Sequence, residues 1–140
     1  MVAPELVPLG RLTARLRAPF VLAQTPSGTH RIFEVQAARL EGDRIRASAK
    51  GAANADWLRV GPDGTGTLDV RALLETDDGA LIFVHYAGRV DASTNGAAPV
   101  YAAPLFETGD ARYRWLNLVQ AVGKGAFDGD TLSYDLYELR

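Results

Sequence analysis

The 140-residue chain has no cysteine, which excludes disulfides, thiolate metal sites and thiol nucleophiles together. That absence also suits a reducing compartment. Histidine is nearly as scarce: His30 and His85 stand 55 residues apart, so there is no His-x-His or HExxH spacing, and no metal is expected. No excess of either charge is present, because 15 basic residues face 17 acidic ones without a run of like sign. Such a balance suits neither a phosphate backbone nor an anionic membrane, so nucleic acid and membrane are not expected partners. Nowhere do about 18 apolar residues follow one another, and MVAPELVPLGRLTARLRAPF lacks the apolar core of roughly 7 to 15 residues that a secretory signal carries. The expectation is a soluble, cytoplasmic protein.

Familiar catalytic motifs are missing too. None of Ser27, Ser48, Ser93 or Ser133 sits in a G-x-S-x-G setting. The glycine-rich GPDGTGTLD, residues 61–69, lacks the glutamate and spacing of an EF-hand loop and is too short for a P-loop. No GxGxxG opens a helix after a parallel strand, so a dinucleotide fold is excluded and no cofactor is expected.

What is present is alternation. Apolar residues recur at every second position over short runs, and turn residues interrupt them at intervals of about ten, the pattern of an all-β sandwich or barrel. Strands are expected at residues 6–17, 30–40, 43–50, 55–60, 66–76, 80–88, 98–105, 114–123 and 130–139. Turn signals at Glu41-Gly42-Asp43, Gly61-Pro62-Asp63-Gly64, Asp77-Asp78-Gly79, Asn95-Gly96 and Asp128-Gly129-Asp130 join neighbouring antiparallel strands. Residues 18–29, with two prolines and a Ser-Gly pair, read as a long connection. In TGDARYRWL, residues 108–116, Thr108 or Asp110 is placed to cap a single helical turn. Eight to ten strands in sequence favour a closed antiparallel up-and-down barrel, lipocalin-like, in one domain spanning residues 1–140. A barrel of that strand count has room for one small molecule.

Three segments in order, GAANADW at 51–57, LDVRALLETDDGALIFV at 68–84 and FETGDARYRWLN at 106–117, closing with YDLYEL, resemble the family known as domain of unknown function 3237. The resemblance runs from about residue 6 to the C-terminus. It implies a closed lipocalin-like barrel, often a homo-oligomer, without an assigned reaction. The segment QAARLEG, residues 36–42, departs from the family, where a glycine pair followed by a larger side chain is common; if it lines the cavity, the ligand differs.

Candidate site residues are polar side chains on otherwise apolar strands. Asp69 and Arg71 share a face with Leu73 and Glu75, opposite Val70, Ala72 and Leu74. Either the charged row is solvated, or it lies inside a wet barrel where a carboxylate and a guanidinium keep each other charged. The same choice holds for Asp135 and Tyr137, opposite Leu132, Tyr134 and Leu136. Asp56 and Trp57 face oppositely; Trp57 is a core plug or a stacking platform. Trp115 and Asn117 offer an apolar wall and an orienting amide, or Asn117 is simply a buried, satisfied amide, and Glu107 is placed to cap the turn Thr108-Gly109-Asp110 that follows it. In the hairpin, a two-residue Asp78-Gly79 turn sets Tyr86 opposite Arg71, the favoured register, whereas a three-residue loop sets His85 there.

Two functions compete, and behind them stands a third reading as a structural subunit whose barrel is filled by its own side chains and whose outer face oligomerises. In one, the barrel is a cofactor-free isomerase, cyclase, lyase or hydratase acting on a small carbonyl compound, with Asp69 or Asp56 as base and Arg71 and Tyr86 stabilising an oxyanion. In the other, it is a carrier or sensor of an apolar molecule, which needs only a cavity and a few polar anchors.

Overall fold

The computed structural model describes residues 1–140. Eleven strands run β1 (Leu6–Leu16), β2 (Phe20–Thr25), β3 (Gly28–Glu41), β4 (Arg46–Ala49), β5 (Ala55–Val60), β6 (Thr65–Thr76), β7 (Leu81–Asp91), β8 (Val100–Ala102), β9 (Leu105–Glu107), β10 (Ala121–Asp128) and β11 (Thr131–Leu139). All pairings are antiparallel, and they close through the ring β1-β3-β5-β6-β7-β8-β10-β11 back to β1. The expected closed up-and-down barrel is therefore what the chain forms.

Three of the eight staves are broken. β3 is long enough to pair with β1 through residues 35–41 and with β2 through residues 28–32, so β1 and β2 are one strand interrupted around Pro19. The same holds on the other edge of β3, where β4 pairs near residue 40 and β5 near residue 31. β8 and β9 divide β7 in the same manner, with Pro104 between them. Proline cannot donate to a ladder, so each of those two breaks falls where it sits.

The segment 18–29 corrects the expectation of a connection: Phe20–Leu22 pair with residues 30–32 despite Pro19, because proline at the entrance of an edge strand leaves the inner ladder intact. The expected strand 114–123 is the second correction. Residues Ala111–Leu118 form a 3-10 helix, and β10 begins only at Ala121. Asp110 caps it by accepting from the Arg112 amide at 2.9 Å, and the Arg112 side chain holds that carboxyl down at about 2. Asn117 then clamps the base of the loop: its Oδ1 accepts from the Thr108 amide at 2.8 Å and its Nδ2 donates to the Thr108 carbonyl at 2.9 Å. These bonds fold the segment back on itself before it can extend. Leu116, fully buried, fills the barrel end beneath the helix beside a core that includes Leu9, Leu40, Ile45, Leu74 and Ile82.

The β6–β7 hairpin takes the register that was not favoured. Arg71 pairs with His85, because the loop is the three residues Asp77-Asp78-Gly79, with Gly79 at φ +92°. Thr76 decides this: its Oγ1 accepts from the Ala80 amide at 2.8 Å while its own amide donates to the Ala80 carbonyl at 2.8 Å, closing the ladder at that pair.

Candidate functional site

Burial alternates along most of β5, β6, β7 and β11, so one residue of each successive two faces the interior. On β5 the inward set is Asp56, Leu58 and Val60; on β6 it is Leu68, Val70, Leu74 and Thr76; on β7 it is Ile82, Val84, Tyr86 and Val90; on β11 it is Leu132, Tyr134 and Leu136. Asp69 and Arg71 are thus on the outer face and exposed, so the solvated of the two readings holds and neither can serve as the catalytic base or oxyanion stabiliser expected of them. The reason is the pleat: β6 packs Leu68, Val70 and Leu74 inward, and a strand with three buried apolar residues on one face must turn the charged row to water.

The remaining outward residues follow the same rule. Asp135 is exposed and accepts from Arg11 Nε at 3.1 Å, with Tyr137 on the same outer face of β11, so neither lines the cavity. His85 lies on the outer wall with its ring 5.4 Å from that of Phe83. Trp57 is half exposed at 50%, neither core plug nor interior platform; it borders an outer groove with Phe20 and Ile32. Trp115 and Asn117 sit at the closed end on the 3-10 helix, Trp115 under the Arg44 guanidinium at 4.4 Å. Glu107 is exposed on β9, and the helix is capped by Asp110 instead. The departing segment 36–42 runs along the packed end, where Leu40 is in the core, and does not border the interior cavity.

Two sequence candidates do face inward, Asp56 and Tyr86. The half of the barrel opposite the packed end holds a cavity of about 410 Å³, partly open to solvent, whose wall includes Phe33, Leu58, Leu68, Phe127 and Leu132. Asp56 is the carboxylate set into that apolar wall; Asp91 and Arg31 also border the cavity. Asp56 Oδ1 accepts from the Asp69 amide at 3.1 Å, a ladder donor between the paired stretches Ala55↔Arg71, Asp56↔Val70 and Arg59↔Thr67, Val60↔Gly66. Burial raises its carboxyl to about 6, against the lowering effect of that amide, and the Asp69 charge adds a small upward push.

Behind Asp56 two tyrosines cross the barrel interior. Tyr86 and Tyr134 meet edge to face, centroids 5.9 Å apart. Burial pushes both hydroxyls well above the ordinary tyrosine range, and the Asp56 charge pushes each further in the same direction. They stay protonated. Neither ring forms part of the cavity wall, so Tyr86 stands behind the carboxylate rather than against a ligand. Tyr134 is 1% exposed; the Tyr86 hydroxyl is the polar neighbour of its own, but the two make no hydrogen bond of ordinary length.

Room for these rings comes from β10. Gly125 pairs with Tyr134, and a Cβ there would lie 2.6 Å from Tyr134 Cδ1 and 2.8 Å from Cε1. The sequence reading missed Tyr134, Arg31 and Phe33. Gly123-x-Gly125 opposite YDLYEL was a signal for the first, since glycines two apart in a strand leave a gap on one face. Arg31 and Phe33 carried no signal until β3 was registered on β5, with Arg31↔Leu58 and Phe33↔Asp56. No group of three or more His, Asp or Glu side chains is gathered closely enough to hold a metal ion, and no helix is long and apolar enough to cross a membrane.

Known proteins of this architecture include a β-barrel-like protein from Acinetobacter baumannii, whose crystal structure superposes with TM-score 0.88 at 28% identity over 100% of this chain and 98% of that one. The crystal structure of an enzyme from Penicillium herquei shares the fold, with TM-score 0.75 at 23% identity over 100% of this chain and 97% of that one. In sequence, 63 residues are 43% identical to the hydroalkoxylation enzyme phnH of Penicillium herquei; they make up 45% of this chain and span only 36% of that enzyme's length. Residues 4–139 match the family described as protein of unknown function, DUF3237, and the chain belongs to that family.

Proposed function

We propose that the barrel binds a small, largely apolar unsaturated carbonyl compound and moves one proton on it, adding an O–H group across a conjugated C=C bond or reversing that addition. The observation that carries this reading is Asp56, a carboxylate in an apolar cavity wall with its pKa raised to about 6. A base poised near neutrality is ionised often enough to accept a proton and acidic enough to return it.

The step balances without redox chemistry. Ionised Asp56 takes the proton of the substrate hydroxyl as its oxygen attacks the β-carbon; the C–O bond forms and the C=C electron pair moves to the carbonyl as an enolate. Protonated Asp56 then delivers that proton to the α-carbon. Apolar walls around the site strengthen each polar interaction by excluding water. The name of the partly matching fungal enzyme, hydroalkoxylation enzyme, supports this class over an isomerase that only shifts a double bond.

The test follows cyclisation of an ortho-hydroxyaryl enone to its cyclic ether by loss of the conjugated absorbance and by enantiomeric excess, which separates it from the uncatalysed background. The wild-type protein is expected to give one enantiomer in excess, at a rate that rises with pH through about 6, as Asp56 ionises. Asp56→Asn is expected to lose on the order of 10²-fold or more. Wild-type protein that leaves the product racemic, or an Asp56→Asn variant as active as wild type, contradicts the reading.

A further inference from the structure

Among the arginines, every one but Arg31 is either exposed or held in an ion pair; Arg31 is half-buried and belongs to none of the ion pairs. A guanidinium partly withdrawn from water without a counter-charge is costly, and that cost is relieved when an anion meets it. Arg31 borders the same cavity as Asp56. The other carboxylate that borders it, Asp91, accepts from the amide and hydroxyl of Ser93 and forms no ion pair with Arg31.

The register fixes how the two groups stand. Phe33↔Asp56 and Arg31↔Leu58 are paired on β3 and β5, so Arg31, Phe33 and Asp56 share the inner face, with Arg31 one two-residue step further along the strand. At about 3.3 Å per residue, that step is roughly 7 Å, about the length of one aromatic ring. Phe33, Leu58 and Phe127 supply apolar wall for what lies between.

Resting on the acid/base reading of Asp56, we infer that the ligand is an amphipathic organic acid: its carboxylate pairs with Arg31, an aryl or similar apolar body lies along Phe33 and Leu58, and its unsaturated end reaches Asp56. A planar guanidinium takes a carboxylate in two parallel hydrogen bonds, which fixes the orientation of the molecule as well as its affinity.

Cinnamate and cinnamamide are the probes, equal in shape and different in charge, titrated by calorimetry and by amide chemical-shift changes. Wild-type protein is expected to bind cinnamate at least tenfold more tightly than cinnamamide, with shifts around residues 31–33 and 56–58. Arg31→Gln is expected to bind both probes equally, and Arg31→Lys to restore part of the preference. Equal binding of the two probes by wild type, binding of neither, or a preference that survives Arg31→Gln overturns the inference. Asp56→Asn keeps the cavity and Arg31, so it is expected to retain the preference for cinnamate while losing enone cyclisation; failure at Arg31 and failure at Asp56 are thereby read separately.

Discussion

The Asp56 carboxylate receives the backbone amide of Asp69 at 3.1 Å, so an inward acid on one strand completes the ladder of its neighbour. One residue therefore holds two strands together and places a titratable group in an apolar cavity. Its partner Asp69 contributes only main chain; the Asp69 side chain is outside.

That arrangement makes stability depend on pH in a defined sense. The folded-state pKa of Asp56, about 6, lies above the ordinary 3.8, so between those values the folded protein retains a proton that the unfolded chain has lost. Stability then falls as pH rises through this window, and the full penalty stands above pH 6, on the order of 2–3 kcal/mol. Asn at position 56 keeps an oxygen for the Asp69 amide without the charge. Urea unfolding at pH 4 and pH 8 is expected to show Asp56→Asn gaining about 2 kcal/mol relative to wild type on going to the higher pH; a constant difference would refute the buried charge.

Tyr134→Phe is expected to leave stability unchanged or raise it by up to about 1 kcal/mol. Removing a tyrosine hydroxyl usually sacrifices a hydrogen bond, but this one is buried with no more than a long contact to the Tyr86 hydroxyl, and its desolvation cost vanishes with it. A loss of 2 kcal/mol in denaturant melts would show that the hydroxyl has a partner.

Gly125→Ala tests the close approach behind Tyr134. Its methyl group would stand 2.6 Å from the ring, which must move while the core holds it from the other side, at a cost of about 1–3 kcal/mol. The tyrosine near-ultraviolet dichroism is expected to change with it, whereas Gly79→Ala, where nothing lies within 4 Å, is expected to show only the backbone cost of a positive φ, about 1 kcal/mol, with the dichroism intact.

Arg71→Gln and Asp135→Asn are expected to shift stability by no more than about 0.5 kcal/mol and to leave the titration of Asp56 in place, since both residues are exposed and the Arg11–Asp135 pair is open to solvent. A Gln at 71 that abolished enone cyclisation would return that residue to the site.

Much of the barrel was legible from alternation and turn residues because each stave hides one apolar face. Which polar residue went inside was less so. On β6 the pattern Leu68, Val70, Leu74 against Asp69, Arg71, Glu75 already favoured the solvated reading, and packing enforced it. On β5 the single inward acid, Asp56, could not be told from an outward one without the register, because Ala55, Trp57 and Arg59 on the opposite face are no more polar as a set. The hairpin register turned on Thr76, whose side chain bonds the Ala80 amide and so lengthens the loop by one residue, a local hydrogen bond that the Asp-Gly signal does not encode. The helix at Ala111–Leu118 shows the same limit: its cap was visible in the sequence, but its length depends on Asn117 meeting Thr108 nine residues back.

The most direct test of the central claim is the pH titration of the Asp56 side-chain carbonyl by carbon NMR, assigned by its disappearance in Asp56→Asn. The expected result is a midpoint near 6 that moves when cinnamate enters the cavity. A midpoint at or below the ordinary 3.8, indifferent to the ligand, would mean that Asp56 is a solvated carboxylate and that the acid/base account is wrong.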